Sequence, residues 1–255
     1  MNFLRRNNRH FYTILLDNDL CKVYFRELNS QKSVVSEGIK TFKVDGKYSQ
    51  IGEYIEQNAS YGEKDYVCVF QTSHTQGLTD VMIDGFYVQY IDENIYSYAN
   101  LSDIRQIEES AGVHINEFIS PFKVLYFLHK NQNFEGVGLF VLKFSSLAVL
   151  MVADHGKIYS AKTVDLTKEF MNLINNDESI VLDDWDELFY RVIRDFIFDF
   201  YTQNESFING IYIYDTGGLS PEIGYYIFTK IFIKTNIVPL NLMDFINKIN
   251  IKENF

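Results

Sequence analysis

The sequence predicts an α/β protein built as two similar halves, and three observations predict it. Strand-length apolar runs alternate with amphipathic helical stretches along all 255 residues. The order hairpin, strand, helix, strand, helix, strand, helix is met twice, although no residue-level repeat aligns the two passes. Residues 208–244 then condense the plan into strand, diglycine turn, helix and strand. In such a unit a ligand crevice, if there is one, lies at the glycine turn beyond the strand end.

Taken in order, residues 11–16 and 21–28 are strand-like on either side of Asp17-Asn18-Asp19 and predict an opening hairpin. A third strand is expected at 39–44. Residues 47–58 predict a helix with Ile51, Tyr54 and Ile55 on one face. Tyr66-Val67-Cys68-Val69-Phe70, within 65–71, is a continuous apolar run, as a central strand covered on both faces requires. Residues 72–80 read as a polar loop, and 81–90 as a strand pair turning at Asp84-Gly85. A short helix at 101–110 has Ser102 as its cap and Ile104 and Ile107 pointing inward. A strand at 113–118 follows, and Ser120-Pro121 opens a helix over 122–130 through Val124, Leu125 and Leu128.

The second pass begins with a hairpin of 138–143 and 148–153 joined by Ser145-Ser146. His155-Gly156-Lys157 turns into a third strand at 158–164. A short helix at 166–175 is followed by the strongest helix pattern in the chain, 183–202. Its apolar stripe includes Leu188, Phe189, Val192, Ile193, Phe196 and Phe200. Asp183 suits its cap, and Asp184, Asp186 and Glu187 suit the positive end of its dipole. Ile211 to Tyr214 is a short β-branched and aromatic run that suits a buried strand. Thr216-Gly217-Gly218 breaks it, and Ser220 and Pro221 suit the N-cap and first turn of a helix carrying Ile223, Tyr226, Ile227 and Ile231. A strand at 237–240 and a last helix at 244–251 with Phe245 and Ile249 complete the chain.

Apolar residues make up 47% and charged residues 22%, which excludes an intrinsically disordered chain. The net charge of −11 argues against a nucleic-acid partner, because neutralising phosphates needs a basic surface. Arg5, Arg6 and Arg9 are the one basic cluster, and a solvated N-terminal tail accounts for them. No signal peptide or membrane span is visible; 137–153 is interrupted by Lys143 and two serines. Cys21 and Cys68 fall in strands and read as buried thiols of a reducing compartment, with a disulfide left open. The five histidines show no metal-ligand spacing, so no metal site is expected. His129-Lys130 suits the negative end of a helix dipole. Ser73, His74 and Asp80 have arbitrary spacing and no glycine elbow, so they do not predict a hydrolase triad.

Four places resemble the actin-like ATPase superfamily, and within it the PilM-like proteins of type IV pili and the GspL-like cytoplasmic domains of type II secretion. Leu15-Leu16-Asp17-Asn18-Asp19-Leu20-Cys21-Lys22-Val23 resembles the first phosphate loop. Residues 116–128 resemble the strand and helix leading between the halves. Residues 142–157, ending Asp154-His155-Gly156-Lys157, resemble the second phosphate hairpin, and 211–240, with its Thr-Gly-Gly, the adenosine segment.

The resemblance implies two actin-like (ribonuclease H-like) lobes with mixed sheets flanked by helices. They would divide at 1–131 and 132–255, with the last helix, 244–251, packing back on the first. The departures bear on chemistry. Asp19 stands where the family has glycine, and Leu142-Lys143-Phe144 stands where it has Asp-x-Gly. Leucine cannot position Mg²⁺ or water, and phenylalanine fills space that phosphate needs. The resemblance therefore implies a scaffold with no catalytic residues and no cofactor, cytoplasmic and peripheral to the inner membrane. Its partners would be the cytoplasmic tail of a bitopic membrane protein, an assembly ATPase or a second copy. The alternative is an ATP–Mg-binding actin-like protein whose nucleotide state regulates partners or polymerisation, with Thr216, Gly217 and Gly218 holding the nucleotide. A sugar-kinase-like enzyme would need a catalytic Asp that no position supplies. Abundant Asn, Ile, Lys, Tyr and Phe with only 3 prolines suits an AT-rich bacterial genome.

Overall fold

In a computed structural model, residues 8–17, 20–43, 48–58, 64–70, 72–176 and 185–255 are described. The first sheet contains β1 (Arg9–Asp17), β2 (Leu20–Leu28), β3 (Val34–Lys43), β4 (Lys64–Phe70) and, beyond a small insert, β8 (Glu117–Ile119). Its spatial order is β3-β2-β1-β4-β8, antiparallel from β1 to β3 and parallel from β1 to β8. The second sheet repeats this with β9 (Val137–Lys143), β10 (Leu147–Ala153), β11 (Ile158–Asp165), β12 (Ile208–Asp215) and β13 (Thr235–Pro239), in the order β11-β10-β9-β12-β13. The doubled element order of the sequence is thus a doubled sheet topology. The parallel steps need crossovers, and helices provide them.

Alternation sorts the side chains into layers. One face of the first sheet packs Tyr12, Ile14, Val23 and Val69 against α1 (Ser49–Asn58) and α2 (Leu101–Ala111). One face of the second sheet packs Leu139, Val141, Leu150 and Ile211 against α4 (Leu166–Asn176), α5 (Trp185–Gln203) and α6 (Ile223–Ile231). The remaining faces share one core, in which Phe70, Ile119, Phe140 and Met151 surround α3 (Pro121–Lys130) and α7 (Leu242–Asn254). The aromatic stripe of α5 is core, with Phe189, Phe196 and Phe200 all buried.

Helix α7 lies on the first sheet. Its Asn247 Nδ2 donates to Phe11 O at 2.9 Å and to Thr13 Oγ1 at 3.1 Å, and Arg26 on β2 pairs with Asp244 at 2.8 Å. Lys123 of α3 is buried between Glu117 at 2.7 Å and Glu253 at 2.8 Å, which ties α3, β8 and α7 together. Burial works to lower the Lys123 pKa, but its two carboxylate partners outweigh that and raise it.

Several expectations need correction. The stretch 72–80 is not all loop, because β5 (Gln76–Thr79) joins β6 (Phe86–Asp92) and β7 (Ile95–Asn100) in a three-stranded sheet. The β6–β7 turn falls at Glu93-Asn94, where Asn94 has φ 56°, and Asp84-Gly85 precedes the hairpin. Asparagine tolerates the left-handed region, so it closes the turn without glycine. Asn100, not Ser102, caps α2, accepting Ser102 N–H at 2.9 Å. Helix α6 starts at Ile223; Ser220 does not cap it and instead donates to Asp186 of α5 at 2.6 Å. The expected strand at 113–118 shortens to β8. Asn18, Asp19, Asp183 and Asp184, to which a turn and a cap were assigned, lie outside the described residues.

Candidate interlobe cleft

The strand order brings three sequence-distant turns to one place. The β9–β10 turn is closed by Phe144 N–H donating to Leu147 O at 2.7 Å. It lies beside the end of β12, because Asp215 pairs with Lys143. The N-terminus of α7 follows β13 into the same space, with Leu240 N–H bound to Asp215 O at 2.9 Å. Leu15 and Lys22 of the opening hairpin face it from the first sheet. Together they line a cleft of about 650 Å³.

Thr216, Gly217 and Gly218 all line this cleft. Thr216 Oγ1 donates to Lys143 O at 2.9 Å, which pins the end of β12 to β9. Gly217 N–H is taken by Asp215 Oδ1 at 2.8 Å. Gly217 and Gly218 have φ of 107° and 93°, and a Cβ at either would meet nothing within 4 Å. Backbone conformation, not crowding, calls for glycine here.

The rest of the lining decides what the cleft can do. Lys22 and Lys143 supply positive charge, and Trp185 lines it while stacked on Phe170 at 4.6 Å between ring centroids. Among the described lining residues there is no carboxylate. Leu142 is fully buried in the shared core, and Phe144 is packed on Phe70 at 5.3 Å. An anion or an aromatic ring fits this surface, but its described lining offers Mg²⁺ only neutral oxygens, those of Ser145, Thr216 and Asn241 and of the backbone, and no carboxylate. Trp185, Asn241, Leu242 and Met243 were not foreseen as lining residues, because the α4–α5 stack and the return of α7 leave no local signal.

Asp154-His155-Gly156-Lys157 is not part of the cleft. It forms the β10–β11 turn, at the other end of β10 from Leu147, with Asp154 Oδ1 accepting Gly156 and Lys157 N–H at 2.7 and 2.8 Å. His129 is not a charged partner for the α3 dipole. It is buried against Phe134 and Phe140, with Nε2 bound to Asp154 O at 2.8 Å, and burial pushes its pKa down to about 4. Ser73 donates to Asp103 at 2.7 Å, while His74 faces Asp165 at 3.8 Å, so these residues form no triad. Cys21 and Cys68 are free and buried, and burial pushes both thiols up to about 12. Among the described residues no His, Cys, Asp or Glu cluster suits a metal, and no helix is long and apolar enough to cross a membrane.

Two mixed five-stranded sheets of identical order, a cleft between their hairpins and a shared helical core match known structures along nearly the whole chain. A protein from Bacteroides thetaiotaomicron, described as having an actin-like ATPase fold and unknown function, superposes with a TM-score of 0.54, at 13% identity over 100% of this chain and 99% of its own. The chain has the actin-like ATPase fold. A PilM–PilN type IV pilus biogenesis complex matches at TM-score 0.57, 10% identity and 93% of this chain against 89% of that one. MreB5 of Spiroplasma citri bound to ADP matches at 0.55, 12% identity and 96% of each chain. A family model described as a domain of unknown function, DUF8341, matches residues 184–255, from α5 to α7 of this actin-like fold. No curated protein matches the chain in sequence.

Proposed function

We propose that this actin-like protein is a non-catalytic cytoplasmic scaffold of an inner-membrane assembly, of the type II secretion, type IV pilus or transformation, or flagellar-motor-associated kind. It would hold the cytoplasmic tail of a membrane partner, with an assembly ATPase or a second copy as further contacts. The observation that carries this reading is the β9–β10 turn. Where a nucleotide-using member of the fold needs a small residue and a carboxylate, this chain packs Phe144 on Phe70 and buries Leu142 completely. The shared fold with the PilM–PilN complex supports the same reading. Affinity capture of the full chain from membrane extract tests it. Enrichment of one membrane protein through its cytoplasmic segment is expected, and recovery of no membrane partner defeats the proposal.

A second reading keeps ATP with Mg²⁺ in the cleft, regulating partners or polymerisation. Thr216, Gly217 and Gly218 at the cleft wall favour it, and MreB5 of the same fold is bound to ADP. Binding at a hundred times Kd stabilises a protein by about 2.7 kcal/mol, worth several degrees of Tm at this chain length. The scaffold reading expects a Tm change below about 1 °C with millimolar Mg-ATP. A rise of several degrees would establish the second reading instead.

A further inference from the structure

Strand β3 ends the first sheet on one side and is paired only with β2. Eight of its ten residues are exposed, so the core covers neither of its faces. Val34, Val35 and Ile39 are 53%, 49% and 60% exposed. Along its outer side β3 presents backbone N–H and C=O groups that no described strand takes up. The charges here are opposite in sign to those of the chain as a whole. Residues 20–43, which form β2, β3 and their turn, carry five Lys and Arg against two Glu, in a chain of net charge −11. Both glutamates are engaged: Glu37 accepts from Arg26 at 2.8 Å and from Tyr24 at 2.9 Å, and Glu27 accepts from Asn8 Nδ2. Lys32 lies over the Phe255 ring at 4.5 Å. Lys22, Lys40 and Lys43 are exposed, and no described carboxylate pairs with them. Lys22 stands opposite Thr41, so it shares a face with Ile39 and Lys43, while Lys40 lies on the other face.

We propose that β3 is a docking edge for an extended acidic segment of a partner protein, which adds to the first sheet as a further strand. The inference rests on the scaffold reading above, since it supplies the contact for one of the scaffold's partners. Strand addition draws its affinity from main-chain hydrogen bonds, so it needs a free edge of this kind and no preformed pocket. The charges on the edge itself select the occupant. Three unpaired ammonium groups, with no free carboxylate on the ribbon, attract Asp and Glu side chains and repel a basic segment. A second copy is disfavoured for the same reason, because two β3 edges would bring both sets of lysines together. Lysine is the usual guard of an open edge against its own copies, and a strand bearing carboxylates is the one it still admits. Val34, Val35 and Ile39 give the segment's apolar side chains cross-strand partners. Lys22 and Ile39 also line the interlobe cleft, so the added strand lies beside the cleft mouth.

Photo-crosslinking from Val35→p-benzoylphenylalanine in the full-length chain, in its own cells, tests this. The expected product joins position 35 to a partner segment of net negative charge. Lys40→Glu with Lys43→Glu, at an unreduced Tm, is expected to cut the yield about tenfold, whereas Lys40→Arg with Lys43→Arg keeps it. A synthetic peptide of the crosslinked segment, added to the unaltered chain, is expected to slow hydrogen exchange at alternate amides of residues 34–43, as a strand on the outer edge requires. Crosslinks to a second copy, to lipid or to a basic segment overturn the proposal. So do their absence, their indifference to the charge reversal, or unchanged exchange in β3. Affinity capture separates the two failures. If the crosslinking fails while the unaltered chain still recovers a membrane partner, the contact lies elsewhere and the scaffold reading stands. If the unaltered chain recovers none, the scaffold reading itself has failed.

Discussion

Phe144 and His129 each carry a consequence that single substitutions can measure. Removing the Phe144 ring leaves a void against Phe70, so Phe144→Gly should cost about 3 kcal/mol, read as a lower midpoint in urea. It should still give no Mg-ATP shift in Tm, because Leu142 remains the buried neighbour where a metal-positioning carboxylate would be needed. His129 titrates near 4 in the folded chain and near 6.5 when unfolded. Between those values the unfolded state binds the extra proton, so stability is present above pH 6.5 and lost as pH falls towards 4. The loss should reach about 3 kcal/mol, and His129→Phe should flatten that part of the stability–pH curve. The obstruction by Leu142 and Phe144 was legible from the sequence, but the His129 consequence was not. His129 sits where a cation would suit a helix end, and only the aromatic wall of Phe134 and Phe140 makes it neutral.

Elements were legible where a segment's own pattern decides its structure. The central run of β4, the amphipathic face of α5 and the Ser120-Pro121 start of α3 came out at their predicted places, because apolar periodicity and cap chemistry are local. The β6–β7 hairpin and the start of α6 did not. Asp84-Gly85 is as good a turn dipeptide as Glu93-Asn94, and cross-strand pairing chose between them. Ser220-Pro221 has the chemistry of a helix start, but Asp186 on a distant helix claims the serine hydroxyl. Two predictions belong at this scale. Asn247→Ala removes the donor to Phe11 O and Thr13 Oγ1 beneath α7, and should cost about 2 kcal/mol by urea denaturation. Phe232→Gly relieves a left-handed phenylalanine and should raise stability by up to about 1 kcal/mol, seen as a higher Tm.

For the whole molecule, element order alone pointed to two matching halves, since hairpin, parallel strand and crossover helix combine into few topologies. Thr216-Gly217-Gly218 was also visible as the strand-ending turn of the cleft, because glycine chemistry is written residue by residue. What the tertiary structure alone decided is the character of that cleft and of the outer surface. Whether Leu142 faces a ligand or a core, and whether Trp185 and Met243 line the cleft, depends on how two sheets and α7 come together over long sequence distances. The apolar stripe of α6 was legible as helix but not as two stripes, one buried and one in water. Periodicity reports that a side chain is apolar, whereas burial depends on which neighbour arrives to cover it.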